Sequence, residues 1–215
     1  MPVYKQSRAT FPNPAIRFFY AHIPRTAGRF LRSNFLQNGF EWETTAIAID
    51  FDSFDKKEAE GIELHHLNRA EYEKYYNVQG IPHIAIVRNP IDRFMACTMF
   101  LKEMYGDCQE LAEDPMMFST MIQNFPIPSS KNWFCPQMDF ISSETNLWKF
   151  EDGFGKDFEE WFEEVIGTPI TLNSKVKTND LVIDETQRLE ETPKLVDNAR
   201  MLYQKDIEFL YPELK

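Results

Sequence analysis

The run HIPRTAG, at residues 22–28, brings together residue types that bind anions. A short apolar run before it predicts a buried strand, and an amphipathic pattern after it predicts a helix. A loop at such a junction directs main-chain N–H groups and the positive end of the helix dipole at one point. Arginines add charge, threonine adds a hydroxyl, and glycine permits a close approach of the main chain. The loop therefore predicts a phosphate or sulfate site, for which the candidates are Arg25, Thr26, Ala27, Gly28 and Arg29.

A second junction of this kind follows the run HIAIV at residues 83–87. The run is apolar after its first residue, as in a parallel strand that is covered on both faces. Pro90 then opens a helix, and Arg88 and Arg93 flank its start. The signature GxxxxGK[ST] is absent, which argues against an NTP-hydrolysing loop and an ATP-dependent kinase. For residues 22–28, an ordinary tight turn with surface arginines is the alternative interpretation.

Strands that alternate with helices predict an α/β fold with a mainly parallel central sheet. No repeat, low-complexity tract or linker divides the chain, so we expect one domain over residues 1–215 with a core at about 17–212. The patterns predict strands at 17–23, 44–50, 83–87 and 146–152. They predict helices at 26–39, from Asn68 with a capping box, at 90–106, at 157–167 and at 192–210.

Charge is distributed unevenly along the chain. The net charge of −11 argues against nucleic-acid binding by a broad basic face. Yet residues 1–100 hold 12 Lys and Arg against 11 Asp and Glu, whereas residues 101–215 hold 11 against 23. Eight of the ten arginines lie at or before Arg93. An acidic protein whose guanidinium groups gather in one half can still hold a focused anion site.

The cellular setting is predicted from absences and from the cysteines. No window approaches the 18 apolar residues of a membrane span, and the N-terminus lacks the apolar core of a secretory signal. The three cysteines contain no CxxC pair and are typical of reduced thiols. We therefore expect a cytoplasmic protein that binds neither membrane nor nucleic acid, in a bacterial or viral setting.

The two junctions together resemble the sulfotransferases that use 3′-phosphoadenosine 5′-phosphosulfate (PAPS), in particular the smaller carbohydrate-type members. HIPRTAG is similar to their 5′-phosphosulfate loop, and RNPIDRFMA is similar to their RxPxxRxxS motif, which holds the 3′-phosphate. Weaker similarities follow in order: PQMDFIS to PxQxxYL, LWKFED to a strand that ends in glutamate, TLNSK to HxNKS, and YQKDIEFLYP to the terminal helix. The resemblance covers about residues 17–212 and implies a P-loop-like sulfotransferase fold.

The resemblance implies roles for named residues. Arg25 and the loop 26–29 would hold the 5′-phosphosulfate, and Arg88, Arg93 and Ala96 would lie at the 3′-phosphate. Three side chains depart from the family pattern. Arg25 replaces a lysine, Arg29 and Phe30 replace hydroxyl residues, and Ala96 replaces the serine. Two anion sites at one edge of a parallel sheet would grip both ends of a bis-phosphorylated nucleotide.

Histidines supply the acid–base candidates, because imidazole titrates near neutrality. The segment GIELHHLNRAEYEKYY is similar to the family segment whose histidine approaches the acceptor, which makes His66 the first candidate for the base and His65 the second. The alternative is that one of the pair caps the neighbouring helix. Adjacent histidines without a second ligand pair do not predict a metal site.

The sequence therefore predicts a sulfotransferase that moves a sulfuryl group from PAPS to a hydroxyl of a carbohydrate or small molecule, with no metal. The alternative is a catalytically weakened nucleotide- or anion-binding module of the same fold, favoured by the altered hydroxyl positions. The acceptor, its reacting hydroxyl and the oligomeric state are not predicted.

Overall fold

A computed structural model describes most of the chain, and all statements below refer to its described residues. These are residues 3–6, 16–42, 66–74, 77–105, 109–123, 132–175 and 191–215. The predicted strand at 44–50, together with His65, lies outside them.

Five strands form one mixed sheet in the order β3-β1-β2-β4-β5. The strands are β1 Val3–Gln6, β2 Arg17–Ala21, β3 Phe40–Trp42, β4 His83–Val87 and β5 Thr145–Lys149. Strand β2 pairs in parallel with β4, and β4 with β5, whereas β1 is antiparallel to both β2 and β3. The expectation of a mainly parallel sheet is thus corrected to a mixed sheet. Only ten residues separate β1 from β2, too few for the helical crossover that a parallel pair requires.

Eight α-helices are described around this sheet. They are α1 Gly28–Gln37, α2 Arg69–Tyr72, α3 Pro90–Tyr105, α4 Gln109–Glu113, α5 Pro115–Gln123, α6 Lys156–Ile166, α7 Pro193–Leu202 and α8 Gln204–Phe209. Short 3₁₀ turns lie at Gln137–Asp139, Phe150–Asp152 and Pro212–Leu214. The predicted capping box is confirmed: the Asn68 side chain accepts from the Glu71 amide, and the Glu71 side chain accepts from the Asn68 amide.

The alternation of side chains along β2 and β4 builds a core on both faces of the sheet. Phe18 and Ile84 lie on the face that packs against α1 and α6, whereas Phe19 and Ala85 lie on the face that packs against α2 and the C-terminal turn. A third cluster joins α3, α5 and α7. This two-sided cover explains why β4 is buried along its whole length.

The predicted helix at 192–210 is two helices, and this is a second correction. The chain breaks at Tyr203, where φ is −111° and ψ is 30°. Tyr203 is fully buried and lies under the guanidinium of Arg93. Tertiary packing therefore ends α7 at a position that carries neither proline nor glycine.

Candidate anion-binding site

The candidate site lies at the edge of the sheet where β2 and β4 end. The two strands are parallel neighbours, with Tyr20 opposite Ile84 and Ala21 opposite Ala85. Their carboxyl ends therefore deliver the loop 22–27 and residues 88–89 to the same edge. Crevices at this edge are where ligands bind in α/β sheets. The structure thus brings together the two predicted anion-binding segments.

The loop before α1 has an unusual main chain. Arg25 and Ala27 both have φ near 67°, in the left-handed region that costs a non-glycine residue about 1 kcal/mol or more. Two contacts from inside hold this shape: the Thr26 hydroxyl donates to the Ile23 carbonyl at 2.8 Å, and Nε of Arg93 donates to the Pro24 carbonyl at 3.1 Å. A left-handed residue followed by a helical one turns successive N–H groups inward, which forms an anion-binding concavity.

Helix α1 begins directly after this loop without a side-chain cap. Its N-cap residue is Ala27, in the left-handed conformation, and no side chain accepts from the first-turn amides. These N–H groups lack intrahelical acceptors, and the helix dipole adds positive potential at the same point. Arg29 lies exposed on this first turn. The start of α1 therefore has the donors and the charge that a phosphate or sulfate group requires.

The start of α3, by contrast, is satisfied within the protein. Oδ1 of Asn89 accepts from the amides of Ile91 and Asp92 at 2.9 and 3.4 Å. Asp92 also lies in the first turn, where its charge offsets the dipole. An anion at the second junction would therefore bind to the Arg88 side chain, not to the helix start.

Arg25 and Arg88 are adjacent cations in the site. Nη1 of Arg88 donates to the Arg25 carbonyl at 3.3 Å, and its guanidinium lies 4.6 Å from the centre of the Phe150 ring. Nε of each arginine is buried and has no hydrogen-bond partner. Within the described part of the chain, neither guanidinium forms an ion pair with a carboxylate. Burial lowers the pKa of Arg88, which shows how costly this uncompensated charge is.

Arg93 lies behind the loop and is fully buried. Its guanidinium donates to the carbonyls of Pro24, Cys135 and Trp133 at 3.1, 2.9 and 3.0 Å. All three nitrogens are thus engaged with the main chain, so the observed role of Arg93 is to fix the loop. Ala96 is also buried, one turn further along α3. Contact of either residue with a ligand stays a prediction.

Gly28 is required by a neighbouring side chain. A Cβ at this position would lie 1.6 Å from Nε2 of His22 and 2.1 Å from its Cδ2. The His22 ring stacks on Tyr20, with centroids 5.6 Å apart, and contacts the His66 ring at 4.6 Å. The sequence placed His22 beside the loop, but it did not show that the ring occupies the side-chain position of Gly28.

His66 lies beside the start of α1, next to His22 and Trp133. Its ring centroid is 5.1 Å from that of Trp133, and its Nδ1 is buried without a hydrogen-bond partner. Burial lowers the pKa of His66 to about 3, and the positive charges of Arg29 and Arg93 contribute to this. The imidazole is therefore neutral at neutral pH, which is the form that accepts a proton. The structure places the first base candidate at the site.

Three further residues support the site from the acidic half of the chain, and sequence reasoning assigned none of them a role. Gln137 binds the main chain of Arg88, Asp206 binds the amide of Gln137, and Glu151 binds the amide of Asn89. The only signal for them was the order of the PQMDFIS, LWKFED and YQKDIEFLYP segments.

The remaining searches concern metals, membranes and relatives. Over the described ranges, no group of three or more His, Cys, Asp or Glu side chains has the arrangement of a metal site. None of the helices described here has both the length and the apolar character of a membrane span. No family model, curated protein or solved structure matches the chain.

Proposed function

We propose that this protein is a sulfotransferase that takes PAPS as donor and a hydroxylated carbohydrate or small molecule as acceptor. One observation carries the proposal. Arg25 and Arg88, two neighbouring guanidinium groups without carboxylate partners in the described chain, meet the uncapped start of α1 at one edge of the sheet.

The residues present fit a nucleotide with phosphates at both ends. The start of α1 and Arg25 offer main-chain amides and a guanidinium to a 5′-phosphosulfate, in line with the resemblance of HIPRTAG. Arg88 lies next to Arg25 and offers a guanidinium to a 3′-phosphate. Guanidinium groups bind phosphate oxygens in bidentate, charge-assisted geometry. A single inorganic anion would need only one of these two positions.

When bound, PAPS supplies an activated sulfuryl group for transfer to an acceptor oxygen. Arg25 and the amides of the first turn of α1 would stabilise the negative charge that develops on the departing 5′-phosphate. Arg88 would hold the other end of the nucleotide and so fix its orientation. Arg93 keeps the loop in shape by its three contacts with carbonyls.

His66 would accept the proton from the acceptor hydroxyl. Its ring is neutral, and its unpartnered Nδ1 is the atom available for this proton. A pKa near 3 makes for a weak base, but a phosphosulfate anion beside the ring would raise it, because a negative neighbour favours the imidazolium. Proton transfer of this kind contributes about 10²- to 10⁴-fold to a rate.

The experiment that tests the proposal has two stages. Calorimetry with the desulfated nucleotide, 3′-phosphoadenosine 5′-phosphate (PAP), measures binding, and labelled PAPS with a mixture of hydroxylated acceptors measures transfer. We expect PAP to bind and the label to appear in an acceptor. Binding without transfer would favour the anion-binding module, and the absence of PAP binding would exclude both functions.

Two variants assign the roles within this experiment. Arg88→Ala should weaken PAP binding by about 10- to 100-fold, since a hydrogen bond to a charged group contributes about 1.5–3 kcal/mol. Arg69→Ala is the matched control, because Arg69 is an exposed arginine paired with Glu73 at 2.7 Å. An unchanged dissociation constant in Arg88→Ala would exclude Arg88 as a nucleotide ligand. His66→Ala should lower turnover while PAP affinity stays within about twofold, and full activity would remove His66 from the mechanism.

A further inference from the structure

Gln137 grips the main chain at the residue that bears the second guanidinium. Its side-chain oxygen accepts from the Arg88 amide at 2.8 Å, and its side-chain nitrogen donates to the Arg88 carbonyl, also at 2.8 Å. The amide group of Gln137 thus saturates both polar groups of one residue at the end of β4. Gln137 is fully buried, so water does not compete for these bonds.

Gln137 is itself held from behind by Asp206. The Gln137 amide donates to Oδ2 of Asp206 at 2.8 Å, and the Met138 amide donates to Oδ1 at 3.0 Å. Asp206 lies on α8 and is fully buried. Its carboxylate fixes the 3₁₀ turn Gln137–Asp139, and the turn fixes the direction of the Gln137 side chain. A rigid chain of contacts therefore runs from α8 to Arg88.

This chain of contacts does more than the sheet requires. Val87 is the last residue of β4 in register with β5, so the ladder ends before Arg88. Beyond it, the Gln137 side chain provides the hydrogen bonds that a neighbouring strand would otherwise provide. The Arg88 side chain then starts from a fixed Cα, stacks on Phe150 and points its guanidinium at the Arg25 loop.

We infer that Gln137 is a positioning residue that sets the selectivity of the site for the 3′-phosphate, an inference that rests on the proposed function. Its contact is with the main chain of Arg88, so it acts through Arg88 and touches no nucleotide. Loss of the grip frees the guanidinium, and binding of the 3′-phosphate weakens while the 5′-phosphate contacts at α1 persist.

The test compares PAP with adenosine 5′-phosphate, which lacks the 3′-phosphate. The ratio of their dissociation constants measures selectivity for that group alone. Gln137→Glu preserves shape and the acceptor for the Arg88 amide, but it sets an oxygen against the Arg88 carbonyl in place of a donor. We expect the ratio to fall by about tenfold, with adenosine 5′-phosphate affinity within about twofold of wild type.

Asn38→Asp is the matched control. The Asn38 side chain forms the same two-bond grip on a main chain, accepting from the Thr171 amide at 2.8 Å and donating to its carbonyl at 2.9 Å. It lies at the opposite end of α1 from the candidate site. The substitution repeats the amide-to-carboxylate change, and the selectivity ratio should stay at the wild-type value.

The outcomes separate this inference from the proposed function. Equal weakening of both nucleotides in Gln137→Glu would mean a merely structural role, and an unchanged ratio would mean that the grip does not position Arg88; either result overturns the inference. Wild-type protein without PAP binding overturns the proposed function itself. Should Gln137→Glu not fold, Gln137→Asn keeps the amide but shortens its reach, and the same fall in the ratio is expected at smaller size.

Discussion

Substitution of Gly28 by alanine should displace His22 and thereby disturb the candidate site from within. The added Cβ would lie 1.6, 2.1 and 2.4 Å from Nε2, Cδ2 and Cε1 of His22, all far below van der Waals contact. The clashing atoms belong to a ring at the end of a rotatable side chain, so the ring can move away. It can do so only by leaving its place between Tyr20 and His66.

The cost of this movement follows from the two ring contacts. Each aromatic pair contributes about 0.5–1.5 kcal/mol beyond the burial of its area, so the loss of both costs about 1–3 kcal/mol. Alanine in place of glycine at a helical position returns about 0.5–1 kcal/mol, because it lowers the entropy of the unfolded chain. The expected net loss in the free energy of unfolding is therefore about 0.5–2 kcal/mol.

Denaturant unfolding of four proteins tests this reasoning. They are wild type, Gly28→Ala, His22→Ala and the double variant. In the His22→Ala background the clash is absent, so Gly28→Ala should change sign and stabilise by about 0.5–1 kcal/mol. Gly155→Ala is the control, since a Cβ there meets nothing within 4 Å, and its effect should be the same in both backgrounds. An effect of Gly28→Ala that is independent of His22 would refute the steric explanation.

Two further predictions concern buried cations and protons. The unfolded His66 takes up a proton below about pH 6.5, whereas the folded ring resists protonation down to about pH 3. Stability should therefore fall as the pH drops through this window, by up to about 1.4 kcal/mol per unit, and between pH 7 and pH 5 wild type should lose up to about 2 kcal/mol more than His66→Gln in denaturant titrations. Arg93→Lys keeps the charge but cannot reach three carbonyls, so it should lower the free energy of unfolding by about 2–5 kcal/mol, and a wild-type thermal midpoint would show that these contacts do not hold the loop.

The sequence predicted the elements of the site because their signals are local. Strand β4 is an uninterrupted buried run, and Pro90 marks the start of α3 as expected. Strands β1 and β3 were missed because runs of four and three residues are too short to show a period. Their antiparallel pairing with one another changed the sheet from mainly parallel to mixed.

The different fates of Arg88 and Arg93 show where sequence reasoning ends. Both belong to one motif and are the same residue type, five positions apart. Burial separates them: the Arg93 guanidinium is saturated by three carbonyls, whereas Nε of Arg88 has no partner. The contacts of Arg93 reach back to Pro24 and forward to Cys135, and such distant pairings leave no local pattern. His22 is a similar case, since its ring explains Gly28 only in three dimensions.

The acidic half of the chain supports the arginine-rich half without neutralising it. Glu151 accepts from the Asn89 amide at 2.6 Å, and Asp206 accepts from two amides of the 3₁₀ turn that holds Arg88. These carboxylates bind main-chain N–H groups, whereas Arg69, away from the site, is paired directly with Glu73. An arginine already paired with a carboxylate would have to give up that pair before binding an anion. Carboxylates that hold the main chain position Arg88 and still leave its charge for a ligand, so the net charge of −11 is compatible with a site for a small polyanion.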